Sequence, residues 1–233
     1  MDNKKTMPKG RKAYILDDGS AFAVQEAYKS LRTNVMFALP GSECKCIGVT
    51  SPVSGDGKST TAINLAIALA QIGKRVLLMD CDLRLPTVAG KLGIRTNRGL
   101  SDFLTGQVRI DEAICAVERY GIHVLPASGI PVDPTGLLES KQMQHLFTAL
   151  RRNYEFVIVD LPPVMLVSDA VILSKCLDGY LLTVRQKHTS HRNIADSLHK
   201  LQFADARVLG TVVTGDVFDK KHYGQYYGKR GRR

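Results

Sequence analysis

Ser51-Pro52-Val53-Ser54-Gly55-Asp56-Gly57-Lys58-Ser59-Thr60 is the stretch that decides the fold of this chain. An apolar run, Cys46–Thr50, precedes it, and an apolar-periodic stretch from about Lys58 to Gln71 follows, closed by Gly73. The first predicts a strand and the second a helix. A glycine-rich loop between a strand and a helix N-terminus aims its backbone N–H groups at one point, which suits an anion. Gly55 and Gly57 allow the backbone angles and the close approach. Lys58 brings a point charge to the β- and γ-phosphates of a nucleotide, and Ser59 a hydroxyl for Mg²⁺. The candidate phosphate-binding residues are Ser54, Gly55, Asp56, Gly57, Lys58, Ser59 and Thr60. The full phosphate-loop pattern has glycine at position 52, where this chain has Pro52.

Two further strand ends carry acids. Val76-Leu77-Leu78-Met79-Asp80-Cys81-Asp82 places Asp80 and Asp82 two positions apart, so an extended chain points both the same way. Phe156-Val157-Ile158-Val159-Asp160 ends on a third carboxylate. Ligands of open parallel sheets bind beyond the carboxyl ends of the strands, so the three ends are expected to meet around one nucleotide. Carboxylates there hold Mg²⁺, directly or through water, and one can accept a proton. Any one of them can instead cap the next helix, and for Asp82, before Leu83-Arg84-Leu85-Pro86, capping is a live alternative.

Working outward, strands and helices alternate. Helices are expected over 21–38, 135–152, 168–176 and 190–202, strands over 75–80, 122–126, 156–160, 179–184 and 208–213, and short helices and loops over 85–117. This pattern gives an α/β fold, a mostly parallel sheet with helices on both faces, of the P-loop NTPase type. One domain over 21–217 is expected, between a mobile basic arm (1–20) and a flexible, tyrosine-rich basic tail (218–233). The chain has 233 residues and a net charge of +10. The charge sits at the ends: net +4 over 1–12 and net +6 over 220–233, with a neutral body between. That argues against the whole protein being a nucleic-acid binder. The five cysteines show no zinc spacing and read as reduced thiols. No signal peptide and no membrane-length apolar run is present, which places the chain in the cytoplasm.

The three acid-and-loop segments resemble the Walker A, Walker A′ and Walker B motifs of bacterial tyrosine kinases, P-loop proteins that regulate capsule and exopolysaccharide synthesis. The resemblance spans roughly residues 20–227. It implies that Lys58 and Ser59 bind ATP phosphates and Mg²⁺, that Asp80 is the base for a tyrosine hydroxyl, and that Asp82 and Asp160 organise the metal. It also implies a separate membrane activator with a cytoplasmic segment, and so recruitment to the inner face of the membrane. In that family the segment matching Glu26, Lys29 and Arg32 joins subunits into a ring, in which a tail enters a neighbour's site. Lys29 stands where the family has its first arginine, and it lacks the planar fork. On the residues alone, these three are equally a solvated face with a local Glu–Lys pair. Tyr223, Tyr226 and Tyr227 lie among glycines and charges that bury a ring poorly, and with the kinase motifs they read as autophosphorylation sites. Protein substrates bearing tyrosine are implied, and no nucleic acid.

Other features receive weaker readings. His188 and His191 read as surface or capping histidines. Arg84 contacts phosphate or pairs with an acid. Asp169 belongs to a nucleotide switch or caps a helix with Ser168. No Asn-Lys-x-Asp guanine signature occurs, which leans towards ATP, and Thr214 is given no adenine contact. A partitioning-type ATPase of the same fold, switched by nucleotide to bind DNA or membrane, is the alternative. Those proteins carry a lysine at the position of Val53.

Overall fold

The computed structural model describes residues 15–41 and 43–215. Seven strands form one sheet in the order β3-β4-β2-β5-β1-β6-β7. In chain order they are β1 (Lys45–Thr50), β2 (Val76–Asp80), β3 (Cys115–Val117), β4 (Ile122–Leu125), β5 (Phe156–Asp160), β6 (Gly179–Arg185) and β7 (Val208–Thr214). All pairings are parallel except β3 with β4. Nine α-helices accompany them among the described residues: α1 (Phe22–Ala38), α2 (Lys58–Ala70), α3 (Val88–Leu92), α4 (Leu100–Leu104), α5 (Ile110–Ala113), α6 (Pro134–Glu139), α7 (Lys141–Asn153), α8 (Asp169–Ile172) and α9 (His191–Phe203).

The central strands β2 and β5 are buried at every position, and apolar up to the aspartate that ends each, because both faces are covered. In β5, Phe156 and Ile158 pack with α1 and α2, whereas Val157 and Val159 pack against α4–α9. The same alternation divides Val76 and Leu78 from Leu77 and Met79 in β2. It is the two-residue period of a strand written into a sheet with a core on each side. On one of these faces α7 buries Met143, Leu146, Phe147 and Leu150, which recur at helical spacing.

The sequence expectation differs from the structure in three places. The helix expected over 135–152 is two helices. Ser140 lies between them in extended backbone, and its Oγ accepts the Met143 N–H at 3.1 Å, capping α7. The strand β3 was not expected; three half-exposed residues carry too little pattern to announce one. Residues 15–20 do not belong to a mobile arm. Leu16 is buried, its N–H donates to Asn64 Oδ1 of α2 at 2.8 Å, and Ser20 closes a turn on Asp17. Residues 1–14 and the whole basic tail 218–233, with Tyr223, Tyr226 and Tyr227, lie outside the described residues.

Helix α1 lies across α2. Glu26 and Lys29 form an exposed pair at 2.8 Å. Arg32 turns inward, and its guanidinium donates to the Ala68 carbonyl of α2 at 2.9 Å. The three side chains therefore do not present one free charged face within the subunit.

Candidate active site

The order of strands explains where the site lies. β1 is flanked by β5 and β6, and β5 by β2, so the loop after β1 and the acidic ends of β2 and β5 are neighbours. Asp80 and Asp160 are direct partners across the β2–β5 ladder. Beyond these ends lies a cavity of about 1020 Å³, lined by Ser54, Gly55, Gly57, Lys58, Ser59 and Thr60 together with Asp82, Arg84, Lys91 and Arg185.

The loop has the conformation its glycines predict. Gly55 and Gly57 have φ of +90° and +93°, a region that side chains disfavour. Gly57 leads directly into α2, so Lys58 and Ser59 sit in its first turn, where N–H groups lack helical partners. Lys58 Nζ lies 2.7 Å from Asp82 Oδ2 and 3.6 Å from Asp160 Oδ1. Burial pulls its ammonium down, but the charges of Asp160 and Asp82 outweigh burial and hold it above the usual lysine range.

The three acids have three different settings. Asp82 faces the cavity, and its second oxygen accepts the Leu85 N–H at 3.0 Å, so it both pairs with Lys58 and caps a turn. Asp160 is fully buried, and neither of its oxygens has a hydrogen-bond partner. Burial pushes its carboxyl up, against the opposing charge of Lys58. Asp80 is also fully buried. One oxygen accepts the Asp82 N–H at 3.2 Å; the other accepts Thr87 N–H and Val88 N–H at 3.2 and 3.1 Å, at the start of α3. Burial and the nearby charge of Asp160 push Asp80 up to about 7. Asp80 does not line the cavity in this conformation, although the family resemblance implies it as the base. Between the two Walker A′ acids, Cys81 is buried, and burial pushes its thiol well up, so it stays protonated.

The donor set fits a nucleotide with Mg²⁺. No cluster of three His, Cys, Asp or Glu side chains able to cage a cation occurs among the described residues. Mg²⁺ at phosphates needs no such cage: it keeps waters and takes one or two protein oxygens. The Ser59 hydroxyl and the orphaned, buried oxygens of Asp160 are of that kind.

The side chain of Asp56 has a structural role beside the loop's backbone N–H groups. It is fully buried and braces the loop: Oδ1 accepts the Thr189 hydroxyl at 2.6 Å, and Oδ2 lies 3.4 Å from Val53 N. The Thr214 hydroxyl donates to the Asp56 carbonyl at 2.7 Å, and the Arg185 guanidinium to the Gly55 carbonyl at 3.4 Å. His188 Nε2 lies 3.1 Å from the Ser54 carbonyl. His188 is the exposed histidine that the sequence suggests and also rests against the loop, and Ser190, not a histidine, caps α9. A small sequence clue to this clasp is an acid inside the loop paired with hydroxyl residues after two late strands; no local spacing announces it. Replacing Thr189 with valine is expected to leave the Asp56 carboxylate short of its best partner. The cost is about 1–3 kcal/mol in urea unfolding, with weaker nucleotide binding, and Thr189→Ser should restore both.

Arg84 is also settled by geometry. Its guanidinium makes two contacts with Asp169, at 3.0 and 3.2 Å, and one with Thr135 Oγ1 at 2.8 Å. Asp169 is fully buried, so of the two readings the ion pair is the one present, and Ser168 makes no side-chain cap.

The chain is similar to known proteins over most of its length. Residues 44–209 match the family model described as AAA domain. Tyrosine-protein kinase YwqD of Bacillus subtilis (strain 168) is 36% identical over 205 residues, covering 88% of this chain and 86% of the relative. Tyrosine-protein kinase CpsD of Streptococcus agalactiae is 31% identical over 212 residues, 90% of this chain and 92% of its own. Among solved structures, the chimerical protein CapA2B2 superposes with a TM-score of 0.82 at 32% identity, covering 88% of this chain and 90% of that one. The cell division ATPase MinD of Pyrococcus furiosus shares the fold, with a TM-score of 0.63 at 24% identity over 72% of this chain and 71% of its own.

Proposed function

The chain belongs to the bacterial tyrosine-protein kinases of the P-loop type, and on that premise we propose that it transfers the γ-phosphoryl group of ATP to tyrosines of its own C-terminal cluster. The observation that carries the site assignment is Lys58, in the first turn of α2, placed between Asp82 and Asp160. Phosphoryl transfer needs positioning and neutralisation of charge more than covalent chemistry.

In the proposed mechanism the loop N–H groups of residues 54–60 hold the phosphates. Lys58 would leave Asp82 for the β- and γ-phosphates, which would free the Asp82 carboxylate to help hold Mg²⁺. Ser59 and Asp160 complete that side. Mg²⁺ would supply positive charge that neutralises the phosphates. Asp80 takes the proton of the acceptor hydroxyl, for which a pKa near 7 is suited. Its oxygens are held by the 82–88 segment, so that segment shifts before the proton moves. Tyr223, Tyr226 and Tyr227 are the acceptors, reached in trans within a ring to which Glu26, Lys29 and Arg32 contribute. A separate membrane activator recruits the kinase to the inner face of the membrane, and the output is control of capsule or exopolysaccharide synthesis. No helix among the described residues is long and apolar enough to cross a membrane. The partitioning-ATPase reading has less support: position 53 is valine, and the likeness to MinD carries the fold alone.

The test is to incubate the purified chain with Mg-ATP and the cytoplasmic segment of a candidate activator, and to measure phosphotyrosine. The expected result is phosphotyrosine that disappears when Tyr223, Tyr226 and Tyr227 are changed to phenylalanine, with nucleotide binding retained. No phosphotyrosine, together with nucleotide-dependent binding to DNA or lipid, would sink the kinase mechanism for this chain.

A further inference from the structure

Four cations line the cavity. Two are already neutralised within the chain, Lys58 by Asp82 and Arg84 by Asp169. Arg185 and Lys91 form no ion pair among the described residues; Arg185 donates to the Gly55 carbonyl. Lys91 extends from α3, and its Nζ lies 3.4 Å from Thr60 Oγ1. Thr60 is the third residue of α2, so this ammonium sits at the turn whose N–H groups point to an anion.

The placement of Lys91 is fixed by the fold. The start of α3 is pinned where Asp80 accepts the Thr87 and Val88 N–H groups. Its end is closed by Gly93 at φ +70°. The Lys91 N–H is bonded to the Thr87 carbonyl at 3.0 Å within this helical turn. The side chain is half-buried, so part of its stem is ordered before any ligand arrives. An unneutralised lysine on a pinned helix, reaching a phosphate-loop hydroxyl, has a nucleotide phosphate as its fitting counter-ion.

We propose that Lys91 is a second phosphate-binding lysine of the kinase, holding the bound nucleotide from the α3 side of the loop while Lys58 serves the transferred group. This rests on the nucleotide-binding reading above and adds a residue to it. Lys58 is paired with Asp82, whereas Lys91 and Arg185 have no carboxylate partner among the described residues. Nothing in the sequence pattern marks Lys91, which lies nine positions after Asp82 in a helix of five residues.

The experiment uses the full chain and its Lys91→Met and Lys91→Arg variants. Fluorescent mant-ADP with Mg²⁺ is the probe, displaced by ATP, ADP or adenosine at several salt concentrations. Lys91→Met is expected to weaken ADP and ATP about ten-fold and to flatten the dependence of their affinity on salt. Adenosine, which carries no phosphate, should bind as before, and Lys91→Arg should retain most of the affinity. Unchanged affinity and salt slope in Lys91→Met would overturn the assignment. So would equal losses for ADP and adenosine, the mark of a packing role. Failure of the unaltered chain to bind mant-ADP would overturn the nucleotide reading itself, an outcome distinct from binding that survives Lys91→Met.

Discussion

Lys58→Met is expected to lower phosphotyrosine formation by about a hundred- to a thousand-fold or more, the scale of losing one charged group aimed at developing charge in a dry site. It should also change stability, because Lys58 is the cation between Asp82 and Asp160. Its side chain is only 12% exposed and that of Asp160 is fully buried, so removing it leaves buried negative charge without compensation. Breaking such a cluster costs about 3–5 kcal/mol. The loss should be greatest near neutral pH and shrink on acidification, as the stranded carboxyls take up protons. Denaturant unfolding at neutral and acidic pH measures this. Circular dichroism at the assay temperature separates loss of chemistry from loss of fold. A variant as stable as the parent at both pH values would mean that the pairing seen around Lys58 contributes nothing.

Asp80→Asn is expected to abolish the proton acceptor while stabilising the fold at alkaline pH. The sign follows from linkage. Burial, with the charge of Asp160, raises Asp80 from 3.8 in the unfolded chain to about 7 in the folded one. The folded state therefore binds its proton more tightly. The contribution of Asp80 to stability is fully present below the unfolded value and is lost as pH rises to and through the folded one. An asparagine has no proton to lose, so its advantage over the parent should grow from about pH 4 to about pH 7 and then level off, reaching on the order of 2–4 kcal/mol. At the acidic end the variant should be slightly the less stable, since one amide oxygen replaces two acceptors for Asp82, Thr87 and Val88 N–H groups. Parallel pH series of urea unfolding for both proteins give the difference curve. A flat curve would remove the case for an elevated Asp80.

Much of this architecture was legible because it is written in local pattern. β1, β2 and β5 are apolar runs closed by loop glycines or acids, and the structure has them within a residue of the expected limits. The phosphate loop is contiguous in sequence, so its chemistry was readable without the fold. What was hidden depends on contacts between distant segments. Asp56 stands inside the phosphate loop, but the partner of its side chain is Thr189, 133 residues away. Asp80 is a strand-end carboxylate that the family resemblance implies as the base, but eight residues on the chain turns back to give it the Val88 N–H, which no local pattern announces. His188 reads as a surface or capping histidine and is exposed, but its contact with the Ser54 carbonyl, 134 residues away, leaves no trace in local spacing. Leu16 looked like part of a basic arm, since one apolar residue among charges has no period to reveal that α2 holds it.

The clasp on the phosphate loop also has a meaning for synthesis. Thr214, the last residue of β7, closes on the Asp56 carbonyl 158 positions earlier. β1 emerges from the ribosome first among the strands, yet its neighbours β5 and β6 are made only after more than half of the chain. Pairings of such sequence separation form late. A nascent chain is therefore expected to carry an open, unclasped loop, unable to grip ATP, until β7 has left the exit tunnel. The kinase gains its nucleotide site only when its body is complete, so truncated translation products should be inert towards ATP and not merely weak.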